Sequence, residues 1–249
     1  MTSVPRLEDN RTESTLGTPG YRRFVLWDLD HTLLDPAGFG QRSIRSAFSE
    51  LFGFPSPDGV SVAGRTDRAI IAEFIAATDP ALTDRQDEVQ ELAAEIAERT
   101  RSEFRSRGGT TLPGATAAVE ALGSRGDILE SVLTGNLEGI GRIKVTELGL
   151  DKHLDLSSAA FGDAHTVRAD LVAHARDRAE AANSTRFEGR SMIIIGDTPL
   201  DVEAASAHGA FAVAVATGKY SVADLAAVGA DAVLPDLLEL DLLLTQLDV

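Results

Sequence analysis

Cysteine is absent from the 249 residues of the chain, and this absence excludes three kinds of chemistry. Without thiols there can be no disulfide framework, no thiolate metal site and no cysteine nucleophile. Basic residues are also scarce: 23 Lys and Arg face 39 Asp and Glu, which gives a formal net charge of −16. An acidic surface repels nucleic acid and anionic membranes. Any site that binds an anion must therefore supply positive charge locally.

Long apolar stretches are missing as well. No run approaches the ~20 residues that span a bilayer, and the first residues lack the apolar segment of a secretion signal. We therefore expect a cytoplasmic protein without membrane or nucleic-acid partners. Residues 1–20 mix Ser, Thr, Pro, Gly and charges without periodicity, which predicts a flexible tail. The sequence leaves the oligomeric state open.

Short apolar runs are what the sequence does contain, at 24–28, 131–134, 191–195, 211–216 and, more weakly, 231–234. They lack polar alternation and are separated by helical patterns, which predicts an α/β fold with a parallel sheet buried on both faces. The segment from about 37 to 109 contains no convincing strand pattern and instead has the pattern of helices, which indicates a helical insertion. Ligands of open α/β sheets bind beyond the carboxyl ends of the strands, so the residues after each run are the candidates for a site.

Four carboxylates follow two of these runs. Asp28 and Asp30 end the first run, and Asp197 and Asp201 follow the third. Each could be a turn residue or a helix-capping acid if taken alone. Together they would converge on one edge of the sheet, where so many buried carboxylates require a compensating cation or proton. Oxygen ligands of this kind suit Mg²⁺.

The second run ends in Thr134, Gly135 and Asn136, followed by a helical pattern. A hydroxyl and free backbone N–H groups at the start of a helix can hold a phosphate oxygen. Capping of that helix by Thr134 or Asn136 is an equally good explanation of the same residues.

The motifs DLDHTLLD, VLTGN and IIIGDTPLD, in this order, resemble the haloacid dehalogenase superfamily, and LPGATAAVEAL resembles its phosphoglycolate-phosphatase-like members. The resemblance covers nearly the whole chain after the tail. It implies a Rossmann-like parallel sheet core formed by residues 21–36 and 110–249, with residues 37–109 as an inserted helical cap.

The resemblance also implies an activity: Mg²⁺-dependent hydrolysis of a small phosphorylated metabolite through an aspartyl-phosphate intermediate. Asp28 would be the nucleophile and Asp30 the general acid/base. Mg²⁺ would be held by Asp28, the backbone carbonyl of Asp30, and Asp197, and Asp201 would bind or orient the metal's waters. The chemistry agrees, because a carboxylate attacks a dianionic phosphate only when cations neutralise both.

Substrate contacts follow from the same resemblance. Thr134, Gly135 and Asn136 would bind the phosphoryl oxygens. Arg168 is the best match to the family's usual catalytic Lys, a departure that keeps the charge and adds a bidentate fork. Arg65 in the insertion could contact the non-phosphate end of the substrate.

Other residues favour or exclude alternatives. His31 replaces the Gly most common after the second Asp and is interpreted as a turn residue, and Lys144 and Lys219 are interpreted as surface charges. The presence of Asp30 argues against a haloacid dehalogenase, and the absence of Lys from residues 37–109 argues against a phosphonatase. A phosphomutase would keep all the motifs and stays open. A non-catalytic regulatory protein is the weakest alternative.

Overall fold

In the described part of the chain, the main sheet has five parallel strands. A computed structural model describes residues 20–238 and residue 242, so the expected tail lies outside the described residues except for Gly20. The sheet order is β4-β1-β5-β6-β7, and a second sheet pairs β2 with β3. The strands are β1 (Arg23–Trp27), β2 (Leu34–Asp35), β3 (Thr110–Thr111), β4 (Ile128–Val132), β5 (Met192–Gly196), β6 (Phe211–Val215) and β7 (Ala232–Leu234).

Helices connect the strands and cover both faces of the sheet. They are α1 (Phe39–Phe52), α2 (Asp67–Thr78), α3 (Gln86–Arg99), α4 (Glu103–Ser106), α5 (Ala115–Gly123), α6 (Glu138–Glu147), α7 (Arg168–Asn183), α8 (Pro199–Ala207) and α9 (Val222–Ala227). Short 3₁₀ helices lie at Pro80–Arg85, Leu150–Lys152 and Gly189–Ser191. In the part of the chain that the structure describes, no helix has the length and apolar composition of a membrane span.

Strand β1 lies inside the sheet, paired with β4 on one side and β5 on the other. Its alternate residues enter different apolar clusters, Val25 and Trp27 on one face and Phe24 and Leu26 on the other. Burial on both faces explains the runs without polar alternation. The predicted α/β fold with a parallel sheet is confirmed.

The predicted boundaries of β4 were wrong. The run at 131–134 suggested a strand three residues further along, whereas the strand is Ile128–Val132. Its centre is Glu130, only 3% exposed, which interrupts the apolar run in the sequence. Trp27 Nε1 donates to Glu130 Oε1 at 2.7 Å, and Oε2 has no partner among the described residues. Burial raises the pKa of Glu130 to about 8, against the opposing effect of the Trp27 hydrogen bond.

The insertion folds as helices α1 to α4, which confirms the expected helical cap; its bounds at 37 and 109 stay a prediction. The chain leaves and re-enters the core through the antiparallel pair β2–β3, in which Leu34 faces Thr111 and Asp35 faces Thr110. The cap has an apolar core of its own, built around Phe39, Phe48, Phe74 and other side chains. Ile140 and Ile143 of helix α6, with Leu137 just before it, complete that core.

Candidate active site

The predicted site residues meet at one edge of the sheet, around a cavity of about 390 Å³. Parallel strands place their carboxyl ends side by side, so residues far apart in sequence become neighbours there. Seven of the nine predicted residues line this cavity: Asp28, Asp30, Arg65, Gly135, Asn136, Arg168 and Asp197. Thr134 and Asp201 are buried behind it, with 0% and 2% exposure.

Asp28 is buried directly after β1 and is held by Arg168. Arg168 Nη2 lies 2.7 Å from Asp28 Oδ1 and 2.6 Å from Asp201 Oδ1. The same guanidinium donates to the carbonyls of Gly64 and Leu133. Burial alone would lower the pKa of Arg168, but Asp201 and Asp28 hold it above its usual value. The guanidinium therefore stays charged beside Asp28.

Negative charge is concentrated at this point. Burial raises the pKa of Asp28 to about 7, opposed by Arg168 and reinforced by Asp201. Burial also raises the pKa of Asp197 to about 8, together with repulsion from Asp28 and Asp201. Three carboxylates thus face one buried guanidinium, an arrangement that favours a second cation.

A metal ion fits this group of side chains. Ligand oxygens of Asp28, Asp197 and Asp201 lie within 4.8 Å of one another, and all three residues are buried. Asp201 is already engaged, because its Oδ2 accepts from Thr198 N at 3.0 Å and from Thr198 Oγ1 at 2.6 Å while Arg168 faces its Oδ1. Asp28 and Asp197 are therefore the better direct ligands for a hard cation such as Mg²⁺.

The loop after β4 forms the opposite wall. Thr134 Oγ1 accepts from Asn136 N at 3.3 Å and from Asn136 Nδ2 at 3.1 Å. Gly135 lies against the cap: a Cβ atom there would stand 2.1 Å from Arg65 O. Only a residue without a side chain permits this approach.

Lys144 was wrongly interpreted as a surface charge. It is 0% exposed, and its Nζ lies 2.7 Å from both Asp30 Oδ1 and Asp30 Oδ2 and contacts Asn136 Oδ1. The signal was available in the sequence, because Lys144 follows the buried Ile140 by four residues and so shares its helix face. Lys219, in contrast, is exposed, as interpreted.

The cap closes over the cavity through hydrogen bonds to the core. Asp67 N donates to Gly135 O at 2.6 Å, and Leu137 N at the start of α6 donates to Asp67 Oδ2 at 2.8 Å. Arg68 N donates to Gly162 O at 3.3 Å. This role of Asp67 was not predicted from the sequence. Burial raises the pKa of Asp67 to about 7.

Arg65 and His31 also line the cavity. The Nη1 of Arg65 pairs with Glu73 Oε2 at 2.6 Å, so a substrate would share it with that carboxylate. His31 has a φ of 64°, as its interpretation as a turn residue requires.

Comparisons with known proteins bear on the family and on the fold. A family profile described as HAD-hydrolase-like matches residues 172–240. A search of the curated proteins gave no significant match. Together with the shared fold of the solved structures below, the profile confirms the predicted resemblance to haloacid dehalogenase-like hydrolases.

Solved structures share the fold over most of the chain. A hydrolase from Pseudomonas syringae is 22% identical, with a TM-score of 0.65 and coverage of 90% of this chain and 98% of its own. CbbY from Rhodobacter sphaeroides, solved with phosphate, is 17% identical, with a TM-score of 0.66 and coverage of 91% and 99%. A protein provisionally described as β-phosphoglucomutase from Bacteroides vulgatus is 18% identical, with a TM-score of 0.64 and coverage of 92% and 89%.

Proposed function

We propose that this haloacid dehalogenase-like hydrolase is a Mg²⁺-dependent phosphatase that cleaves a small phosphomonoester by way of a phosphorylated Asp28. The observation that carries the proposal is the buried contact between Arg168 and Asp28 at the edge of a cavity that Asp30 and Asp197 also line. A nucleophile, an acid/base and cationic groups are thereby gathered around one space.

Phosphoryl transfer to Asp28 is the first half of the reaction. Arg168 holds Asp28 Oδ1, which leaves Oδ2 to attack phosphorus. As the Oδ2–P bond forms, the bond between phosphorus and the ester oxygen breaks, and Asp30 gives its proton to that oxygen. Arg168 stabilises the charge that develops on the phosphoryl group.

Hydrolysis of the phosphorylated Asp28 is the second half. Asp30, now a carboxylate, takes a proton from a water molecule that attacks phosphorus, and the P–O bond to Asp28 breaks. Inorganic phosphate leaves, and both carboxyl groups return to their starting states. The hydroxyl of Thr134 and the amides beside it would hold the phosphoryl oxygens through both steps.

Mg²⁺ would be held by Asp28, Asp197 and the backbone carbonyl of Asp30, with Asp201 orienting its waters. When bound, it would neutralise charge between the carboxylates and the phosphoryl group, which otherwise repel. The crowding of Asp28, Asp197 and Asp201 supports this assignment.

The cavity supports a small substrate. Its volume of about 390 Å³ is near the lower end of the range for ligand pockets. The cap-to-core hydrogen bonds of Asp67 and Arg68 would exclude water during transfer. The cytoplasmic localisation stays a prediction.

The test is phosphate release from p-nitrophenyl phosphate and a panel of phosphorylated metabolites, with Mg²⁺ and with excess chelator. Activity that persists under the chelator would contradict the metal requirement. Full activity with Ca²⁺ alone would contradict the preference for Mg²⁺, because the larger, more flexible coordination of Ca²⁺ should misplace the nucleophile. Reaction in ¹⁸O-water separates hydrolysis from a phosphomutase, which moves phosphate within the substrate and puts no solvent oxygen into the product.

A further inference from the structure

Lys144 is a fully buried cation that the proposed reaction does not use. Its side chain is 1% exposed, and its ammonium contacts three acceptors: Asp30 Oδ1 and Oδ2, each at 2.7 Å, and Asn136 Oδ1. An ammonium has three N–H donors, so every donor is matched. A lysine buried in this way is costly unless it is fully paired, and both its partners line the cavity.

The ammonium also fixes which way the Asn136 amide faces. Because an ammonium cannot accept a hydrogen bond, the Asn136 oxygen must face Lys144 and the amide nitrogen must face the other way. Nδ2 then donates to Thr134 Oγ1 at 3.1 Å and to Asp30 Oδ2 at 3.3 Å. The orientation of the amide follows from the charge on Lys144.

The Thr134 hydroxyl is oriented in turn. Its oxygen accepts from both Asn136 N and Asn136 Nδ2, so its hydrogen must point away from Asn136. Among the described residues, no acceptor is hydrogen-bonded to that hydroxyl. A phosphoryl oxygen of the substrate would supply one.

The geometry points to Lys144 as a positioning residue that sets Asp30 directly and Thr134 through Asn136. This inference rests on the proposed phosphatase function. With both oxygens of Asp30 held by one ammonium, the carboxyl group has a single orientation towards the cavity. Without Lys144, Asp30 could rotate, and the amide of Asn136 could turn over.

A positioning role and a merely structural role differ in how the loss depends on the leaving group. Nitrophenolate leaves with little help from an acid, whereas phenolate, a stronger base, needs a proton from Asp30. Misplacing Asp30 therefore slows phenyl phosphate more than p-nitrophenyl phosphate. General damage to the fold slows both substrates equally.

The experiment compares kcat/KM of wild type and Lys144→Met for phenyl and p-nitrophenyl phosphate. We expect a loss of roughly 10²-fold or more for phenyl phosphate, the lower end of what general acid catalysis supplies, and a loss at least about tenfold smaller for p-nitrophenyl phosphate. Arg142→Met is the control: it lies on the same helix and pairs with Glu138, and it should behave as wild type.

The absence of cysteine allows an isosteric rescue. Lys144→Cys would be the only thiol in the chain, so alkylation with 2-bromoethylamine in urea, followed by refolding, restores a lysine-like ammonium at this one position. We expect the alkylated protein to regain most of the lost activity on phenyl phosphate. Lys144→Arg keeps the charge but moves the donors, so it should still lose more activity on phenyl phosphate than on p-nitrophenyl phosphate. It replaces the neutral variants in the comparison if these do not fold.

The outcomes separate the two proposals. Equal losses on both substrates, or no loss in Lys144→Met, would overturn the positioning role while leaving the phosphatase intact. If Lys144→Arg or the alkylated protein lost activity equally on both substrates, the role would also be refuted. A wild type that cleaves neither aryl phosphate nor any metabolite would refute the phosphatase function itself.

Discussion

Replacement of Glu130 by Gln should make the protein less sensitive to alkaline pH. Glu130 is buried in β4, where one oxygen accepts from Trp27 and the other has no hydrogen-bond partner among the residues that the structure describes. Burial raises the pKa of Glu130 from 4.5 to about 8. Such a carboxyl group stabilises the fold most below pH 4.5, where it is protonated in both states, and this stability is lost as the pH rises towards the folded pKa.

The magnitude follows from the size of that shift. Each pKa unit corresponds to about 1.4 kcal/mol, so between about pH 5 and pH 8 the free energy of unfolding should fall by about 3 kcal/mol on account of Glu130 alone. Glu130→Gln keeps an acceptor for Trp27 and removes the titration. The difference in unfolding free energy between the variant and wild type should therefore move in favour of the variant by about this amount over that range.

Urea unfolding followed by fluorescence measures the effect. Trp27 is the only tryptophan and lies against Glu130, so its emission reports both unfolding and the state of that contact. Other buried carboxyl groups titrate in both proteins and cancel in the comparison. Glu203→Gln, at an exposed position of α8, should follow the wild-type profile. Parallel profiles for wild type and Glu130→Gln would show that Glu130 does not resist ionisation.

Three further predictions concern the active site. Asp28→Asn should abolish the acid-stable phosphoprotein that wild type forms when its reaction with labelled substrate is rapidly quenched. Label retained on the variant would show that another residue is the nucleophile. Arg168→Ala should lower kcat by roughly 10²-fold or more, as loss of a preorganised charge does, and Arg168→Lys should recover part; wild-type turnover in Arg168→Ala would refute its role. In Gly218→Ala, the new Cβ would stand 1.8 Å from Asp197 Oδ2, so half-maximal activation should need roughly 10-fold more Mg²⁺. Gly126→Ala, where a Cβ would meet nothing within 4 Å, is the matched control, and equal Mg²⁺ requirements in the two variants would contradict a metal role for Asp197.

The sequence predicted that the candidate residues would meet at one edge of the sheet, because such convergence depends on a general property of parallel sheets. Asp28 and Asp197 each directly follow an apolar run, and strands that run parallel bring such positions together. This prediction required neither the distance between these carboxylates nor knowledge of which strands are neighbours. The motif order was sufficient to place them on one edge.

Pairings between distant residues were not predictable in the same way. Lys144 and Asp30 are 114 residues apart and Trp27 and Glu130 are 103 apart, so no local pattern identifies either partner. The spacing from Ile140 places Lys144 on the buried face of α6 but does not say which residue it contacts. A charged residue in an apolar pattern is ordinarily a solvated one. Such a residue is buried only when the tertiary fold places an oppositely charged or hydrogen-bonding group beside it. Lys144 was therefore misinterpreted as a surface charge, and Glu130 concealed where β4 begins.

The short ribbon of β2 and β3 allows the helical insertion to change in size without altering the core. Both crossings between cap and core pass through two residue pairs, Leu34 with Thr111 and Asp35 with Thr110, so the core is interrupted at effectively one point in space. The entropy of closing an inserted loop grows only slowly with its length. An insertion of another size at this ribbon would therefore leave every strand end, and the chemistry arranged there, in its present position. If the proposed phosphatase function holds, substrate choice and phosphoryl transfer can diverge independently in this chain.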